Sequence, residues 1–557
     1  MKLLRSSGLL LALIMMLCVS ESSRAQKKYV SRVWTADNGD GTYRNPILFA
    51  DYSDPDVMRI GDDYYLVSSS FNCTPGLPIL HSRDLVNWTF LTHALPGLPD
   101  ENHYRSVRHG KGVWAPSFSR HNEMVYIYYP DPDYGVFMIK ARSPEGPWSA
   151  PVLVLKGKGI IDPSVLWDND GKAYMAVAWA ASRAGVNSLI TVFQLNSEGT
   201  KVVDGGRHVY DGHDLDKTVE GPKLYKRNGY YYIFCPAGGV STGWQLVLRS
   251  RSIYGPYKRK IVMAQGKSSI NGPHQGAWVH TASGEDWFVH FQDKGAYGRV
   301  TLLEPMVWKD DWPIIGIDKD GDGCGEPVTE YKKPLIRGET AVQTPQESDE
   351  FDDGGIGPQW QWQANSEIQW SVALKNTGYL RLFAYPSDTG KNLYDMPNLL
   401  LQKFPAPDFS ATTKVKWNIE FDEWQGKKAG LIISGDSYAY ISVRKQEDKF
   451  YVDQVVCREG PKGARETVVD EQQVKDSIIF MRVDVNGPDA VCSFSYSEDG
   501  KHFRSIGKPF KAHPDLWIGA KVGLFCTSRS GVRTGGYADF DYFRIDPLQE
   551  RESTDSK

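Results

Sequence analysis

The chain has 557 residues, 41% of them hydrophobic and 24% charged. That is enough for two or three domains and too apolar for a disordered polymer. The formal net charge of −4 leaves no basic excess to hold nucleic acid or an anionic membrane. An aromatic fraction of 12%, with 53 Gly and 32 Pro, points to short strands and tight turns.

Residues 1–25 read as an export signal: Lys2 and Arg5, an apolar run from Leu9 to Val19, then Ser23-Arg24-Ala25 as a small-x-small cleavage site. The apolar run is short for a membrane span, and no later segment is a candidate. The expected destination is therefore the periplasm or the medium. Leu17 before Cys18 argues against a lipoprotein. Beyond the signal, cysteines 73, 235, 324, 457, 492 and 526 form no Cys-x-x-Cys, so zinc and redox motifs have no support. Asn72-Cys73-Thr74 and Asn87-Trp88-Thr89 are glycosylation sequons.

A unit then repeats between residues 51 and 295: a Pro at the head of an apolar stretch, a polar turn, and an aromatic strand. Its copies start at Asp54-Pro55, Ala115-Pro116, Asp162-Pro163, Glu220-Gly221-Pro222 and Gly272-Pro273-His274. In the first four, Pro and turn are seven residues apart (55 to 62, 116 to 123, 163 to 170, 222 to 229). Asp170-Gly171 and Asn228-Gly229 are hairpin turns. Successive prolines lie 47–61 residues apart, within reach of a four-stranded propeller blade. Five copies predict a five-bladed β-propeller over residues 26–335. Glu304-Pro305-Met306, before Asp310-Asp311, is expected to complete the last blade.

The first strand of each blade lines the central channel, so Asp54, Ala115, Asp162, Glu220 and His274 are expected to meet around one axis. Singly, an Asp-Pro pair is a turn starter. Three acids and an imidazole in a ring are a chemical constellation. Two carboxylates across a small pocket suit glycosidic-bond hydrolysis, one donating a proton to the leaving oxygen and one activating water. A third raises the acid's pKa by repulsion. The longer arm of Glu220 favours it as the acid. Phe71, Trp114 and Trp244 are candidate sugar-stacking aromatics.

The run Asn45-Pro46-Ile47-Leu48 to Tyr52-Ser53-Asp54-Pro55-Asp56, with Ser69-Ser70-Phe71, Pro75-Gly76-Leu77-Pro78-Ile79 and His81-Ser82-Arg83-Asp84-Leu85-Val86-Asn87-Trp88, resembles glycoside hydrolase family 43, the family of β-xylosidases and α-L-arabinofuranosidases. Gly112-Val113-Trp114-Ala115-Pro116, Ile161-Asp162-Pro163-Ser164 and Glu220-Gly221-Pro222 match its further signatures. The resemblance covers residues 44–335. It implies an inverting mechanism with Asp54 as general base, Glu220 as general acid and Asp162 as pKa modulator and orienter. It implies Phe71, Trp114 and Arg299 at the sugar subsite, with Gln275 and Trp244 counted as substrate-binding. It also puts His274 at a central water or calcium site. Asp56, where Ser is common, Lys223, where many xylosidases have His, and the loop Gly238 to Gln245 depart from the pattern and leave the sugar preference open.

The loop Asp318-Lys319-Asp320-Gly321-Asp322-Gly323 matches the first half of a calcium loop, but its twelfth position is Thr329 instead of Glu. It reads as a solvated turn with a structural calcium as the alternative. No cofactor is expected for the chemistry.

Residues 336–347 read as a linker and 348–548 as a β-sandwich, ahead of a charged tail at 549–557. From Thr413 to Phe421, Val415, Trp417, Ile419 and Phe421 alternate with Lys414, Lys416, Asn418 and Glu420, the pattern of a half-buried strand. Similar strands are expected at 377–384, 429–434, 438–444 and 538–545. Phe351-Asp352-Asp353 to Trp360-Gln361-Trp362 resembles the concanavalin-like domain of one family branch, which can lend a loop to the pocket and favour exo-action. The expected activity is therefore exo-hydrolysis of terminal arabinofuranosyl or xylosyl residues of plant polysaccharides. Endo-arabinanase and non-catalytic sugar binding are the alternatives.

Overall fold

The computed structural model describes residues 29–386, 392–418, 426–528 and 536–549. The export signal, the tail from 550, and Ile419, Glu420 and Phe421 lie outside them. The regular structure of the described chain is nearly all strand, in a five-bladed propeller followed by a β-sandwich.

Blade 1 runs outward from Asp56–Ile60 through Asp63–Val67 and Gly76–Ser82 to Trp88–Leu95. Blade 2 begins at Ser117–His121, blade 3 at Ile160–Trp167 and blade 4 at Lys223–Arg227, each with four antiparallel strands. The aromatic runs are the second strands: Tyr126, Tyr128 and Tyr129 in Met124–Asp131, and Tyr232 and Phe234 in Tyr230–Ala237, bury their rings between blades. The turns between first and second strands carry positive φ. Asn228 and Gly229 adopt 49° and 72°, a twist-matched hairpin geometry. Asn122 and Glu123 adopt 47° and 63° without a glycine.

Blade 5 closes the ring with strands from both ends of the domain. His274–His280, Asp286–Asp293 and Arg299–Lys309 are joined at the outside by Leu48–Asp51 from the chain start. Glu304, Pro305 and Met306 lie inside the Arg299–Lys309 strand, which turns at Asp310-Asp311 into Trp312–Ile315. No sixth blade forms among the described residues.

The sandwich packs an eight-stranded sheet, which includes Gln361–Trp362, Leu400–Lys403 and Lys521–Ser528, on a seven-stranded sheet, which includes Phe409–Asn418 and Tyr537–Asp546. The expected alternation holds where it is described: Val415 and Trp417 are buried, Lys416 is exposed. One apolar core runs across both domains, with Phe49, Tyr297, Val300 and Leu302 of the propeller packed among Trp360, Phe404 and Phe409 of the sandwich. Backbone bonds stitch the same seam. Thr74 and Trp362 exchange N–H···O=C bonds of 3.0 and 2.7 Å.

All six cysteines of the described chain are free, five buried and Cys324 half-buried. The sequon asparagines are buried, with their amides committed to the Gln363 carbonyl (Asn72, 2.8 Å) and to Asp37 and Asp84 (Asn87, 2.7 and 2.8 Å). The folded chain offers neither to a glycan.

Candidate active site

The ring brings the three acids to one axis. Asp54 and Asp162 occupy equivalent places, each before the repeated Pro and each in the left-handed region, with φ of 53° and 55°. A non-glycine residue there stores about 1–3 kcal/mol of strain, a cost concentrated at functional sites. In blades 4 and 5 the residue before Pro is a glycine with the same bend, Gly221 (φ 56°) and Gly272 (φ 49°). Glu220 is thus one residue earlier than the acids of blades 1 and 3, and His274 two later. The functional groups converge although their positions in the repeat are offset.

Asp54 is buried, and every side-chain partner it has is a donor. Its Oδ2 accepts from Ser53 Oγ (2.9 Å) and Ser69 Oγ (2.5 Å), and its Oδ1 from Arg299 Nη1 (2.9 Å). That shell suits an acceptor-only carboxylate. Arg299 also donates to Ser53 Oγ and lies 4.9 Å over the Phe291 ring. Asp162 Oδ2 accepts the N–H of Gly221 at 2.8 Å and so fixes the backbone beside Glu220. Burial, then the charge of Glu220 and to a lesser extent that of Asp54, push Asp162 well above the usual carboxylate range.

Glu220 keeps a third of its side chain exposed, and its Oε1 lies 3.2 Å from Nε2 of the fully buried His274. The contact lacks hydrogen-bond geometry: neither His274 ring nitrogen has a partner, nor has Gln275 Nε2. Gln275 packs its Cγ against Gly221, where a Cβ would meet it at 2.9 Å. Buried orphans of this kind call for a small polar guest. A cation held here would have to draw most of its ligands from water. His274 offers nitrogen, and Glu220 supplies the one carboxylate oxygen within 4 Å of it among the described residues, whereas calcium takes about six to eight oxygens. The one grouping of three potential metal ligands among the described residues is Asp318, Asp320 and Asp322. There Asp318 accepts the N–H groups of Gly321 and Gly323.

The two residues that break the sequence pattern meet each other. Lys223 Nζ lies 3.5 Å from Asp56 Oδ1 and donates to the Pro116 carbonyl at 2.9 Å, both side chains being buried. Asp56 also accepts the N–H of Phe118 at 2.6 Å. Burial raises Asp56 above its usual range despite the opposing charge of Lys223.

Aromatic rings form the wall. Phe71 (φ 50°) is 6.4 Å from Trp114. Trp114 donates its indole N–H to the Gly110 carbonyl and carries Arg183 at 5.1 Å. Trp517, from a sandwich loop, reaches across the seam to 5.9 Å from Trp114 and 6.0 Å from the Arg299 guanidinium. Nothing in the sequence around Trp517 marks it; only the docking of the two domains brings it here. Arg183 was equally unmarked, whereas Ser69 belonged to the Ser69-Ser70-Phe71 signature. Trp244 donates its indole N–H to Asp216 at 3.1 Å and packs beside Gly238.

The Trp517 loop is held by a buried ion pair. His109 Nδ1 meets Asp515 Oδ2 at 2.5 Å, its Nε2 lies 3.5 Å from Asp395, and its ring stacks on Tyr394 at 3.7 Å. Burial opposes the imidazolium, but the hydrogen bonds and charges of Asp395 and Asp515 outweigh it and lift His109 to about 9.

Three carboxylates near enough to act on one another, beside the linked rings of Phe71, Trp114 and Trp517 in a five-bladed propeller, define a hydrolase of glycosidic bonds. The family model for glycosyl hydrolases family 43 matches residues 43–313, and that for the beta-xylosidase C-terminal concanavalin A-like domain matches 348–546. The chain belongs to glycoside hydrolase family 43. It is 36% identical to a putative beta-xylosidase of Xylanibacter ruminicola over 91% of both chains, and 32% identical to a beta-xylosidase of Formosa agariphila over 97% of this chain and 98% of that one. It is also 32% identical to a non-reducing end alpha-L-arabinofuranosidase of Bacteroides ovatus, over 71% of this chain and 74% of the relative. The crystal structure of the family 43 protein BlXynB from Bacillus licheniformis superposes with a TM-score of 0.77 at 26% identity, covering 91% of this chain and 100% of that one.

Proposed function

We propose that the protein is an exo-acting, inverting glycosidase that removes terminal β-D-xylosyl residues from plant xylan fragments. The observation that supports the exo reading is the Trp517 loop, whose ring reaches 5.9 Å from Trp114 and 6.0 Å from Arg299, as a loop closing one side of the site would. Relatives named beta-xylosidase, alike over more than nine-tenths of the chain, support xylose. The similarity to an alpha-L-arabinofuranosidase over 71% of the chain favours terminal α-L-arabinofuranosyl residues as the second reading.

Asp54, surrounded by donors, serves as the base that activates water. Glu220, whose side chain is a third exposed, gives a proton to the leaving oxygen. Asp162 holds the Glu220 backbone in place. Phe71, Trp114, Gln275 and Arg299 line the sugar. The charged start and apolar run of residues 2–19 support export to the periplasm or medium.

The test is hydrolysis of aryl β-D-xyloside and aryl α-L-arabinofuranoside followed by proton NMR from the first turnovers. Faster release from the xyloside, with α-xylose appearing first, is expected. β-Xylose as the first product would overturn inversion. Release only from internal bonds of arabinan would overturn exo-action, and no release from any substrate would leave a sugar-binding protein.

A further inference from the structure

The sandwich strand Lys521–Ser528 opens, four residues after Trp517, with a lysine that is 5% exposed. Its ammonium points into the propeller, and Nζ lies 2.8 Å from the sulfur of Cys73, itself 3% exposed. Charge-assisted N–H···O bonds run about 2.7–2.9 Å. The same separation at the larger sulfur atom is an unusually close approach.

The surroundings do not account for the lysine's charge. Lys521 makes no ion pair among the described residues, and neither does its cross-strand neighbour Lys403, which is half-buried, lies 3.5 Å from Gln361 Oε1 and sits over the Tyr52 ring. The carboxylate nearest in charge to Lys403 is Asp51, whose oxygens already accept the N–H groups of Arg299 (2.8 Å) and Gly519 (2.9 Å). Burial and the charge of Lys521 push Lys403 down to about 8. A buried ammonium with no ion-pair partner is a costly arrangement in a protein interior. Any chemistry that makes Lys521 neutral without moving it relieves that cost.

We propose that Cys73 and Lys521 become joined through a bridging oxygen, as a sulfur–oxygen–nitrogen linkage, when the protein meets hydrogen peroxide. A first peroxide oxidises the thiol to a sulfenic acid and leaves as one water. Lys521 gives up one ammonium proton to solvent. A second peroxide then takes two electrons from the sulfenic acid and the amine together. The O–N bond forms, the hydroxyl hydrogen and one amine hydrogen are lost, and two waters leave. Two equivalents of a dithiol reverse the linkage to thiol, amine and one water.

The placement gives the linkage a consequence. Cys73 follows Phe71 by two residues, in the segment that Thr74 ties to Trp362. The linkage would fasten the Phe71 wall of the pocket to the strand that carries the Trp517 loop. It is an oxidation-dependent staple between propeller and sandwich, independent of which sugar the pocket takes.

The test uses the full chain, purified under dithiothreitol, freed of it and titrated with hydrogen peroxide, then read by intact mass and peptide mapping. The expected product gains one oxygen and loses two hydrogens, with the Cys73 and Lys521 peptides joined, and reverts on adding dithiothreitol. Loss of two hydrogens alone would mean a direct sulfur–nitrogen bond and overturn the proposal. So would oxygen on Cys73 with Lys521 unlinked, or an unmodified pair. Cys73→Ser and Lys521→Met must each abolish the joined peptides; their persistence in either variant would also overturn it.

Discussion

Glu220 and Asp54 are expected to contribute through proton transfer, and the size of that contribution is measurable. Glu220→Gln and Asp54→Asn keep the shape and remove the proton chemistry, so kcat should fall by about 10²–10⁴. Steady-state kinetics on an aryl xyloside checks this. The loss in Glu220→Gln should shrink as the aryl leaving group becomes more acidic, because such a group needs less protonation; Asp54→Asn should show no such trend. The buried pair beneath them is a different matter. Lys223→Met strands Asp56 without its cation and should cost about 3–5 kcal/mol by denaturant titration, whereas adding Asp56→Ser should recover most of that loss. The acids were legible in the sequence because each stood beside a repeated proline. The Asp56–Lys223 contact was not, although both residues stood out as departures, because pairing requires the ring that brings blades 1 and 4 together.

At the scale of elements, hairpins were the legible unit. A fixed proline-to-turn interval and Asn-Gly or Asp-Gly turns locate first and second strands, and these carry the acids. The outer strand Leu48–Asp51 was not legible, because it pairs with Arg299–Lys309 from the far end of the domain and has no turn chemistry to announce it. The Trp517 loop was hidden for the same reason. Its anchor, the His109–Asp515 ion pair, makes a prediction about pH. His109 is lifted from 6.5 in the unfolded chain to about 9. Its contribution to stability is therefore complete below pH 6.5 and is lost as pH rises through about 9. Melting temperatures of the native protein and of His109→Gln, measured between pH 6 and 10, should differ most at the acid end and converge at the alkaline end. A constant gap would mean that the imidazole acts by packing alone.

Across the whole molecule, the two domains behave as one body because apolar side chains of both, from Phe49 and Val300 to Trp360 and Phe409, share one core. A chain ending at residue 347 would expose the propeller half of that core and lose the Trp517 wall. It should aggregate or melt at a much lower temperature than the full chain, as calorimetry or light scattering would show. A truncated propeller that stays monodisperse and equally stable would contradict the shared core. The clasp of blade 5 has a further bearing on how such a molecule comes into being. Its outermost strand emerges early in synthesis, yet the strand it zips onto arrives some 250 residues later. Asp51, the last residue of that early strand, also receives the N–H of Gly519, which arrives later still. The ring of blades therefore stays unlatched while the polypeptide is being made, and it closes only once the sandwich segment that carries Gly519 has emerged.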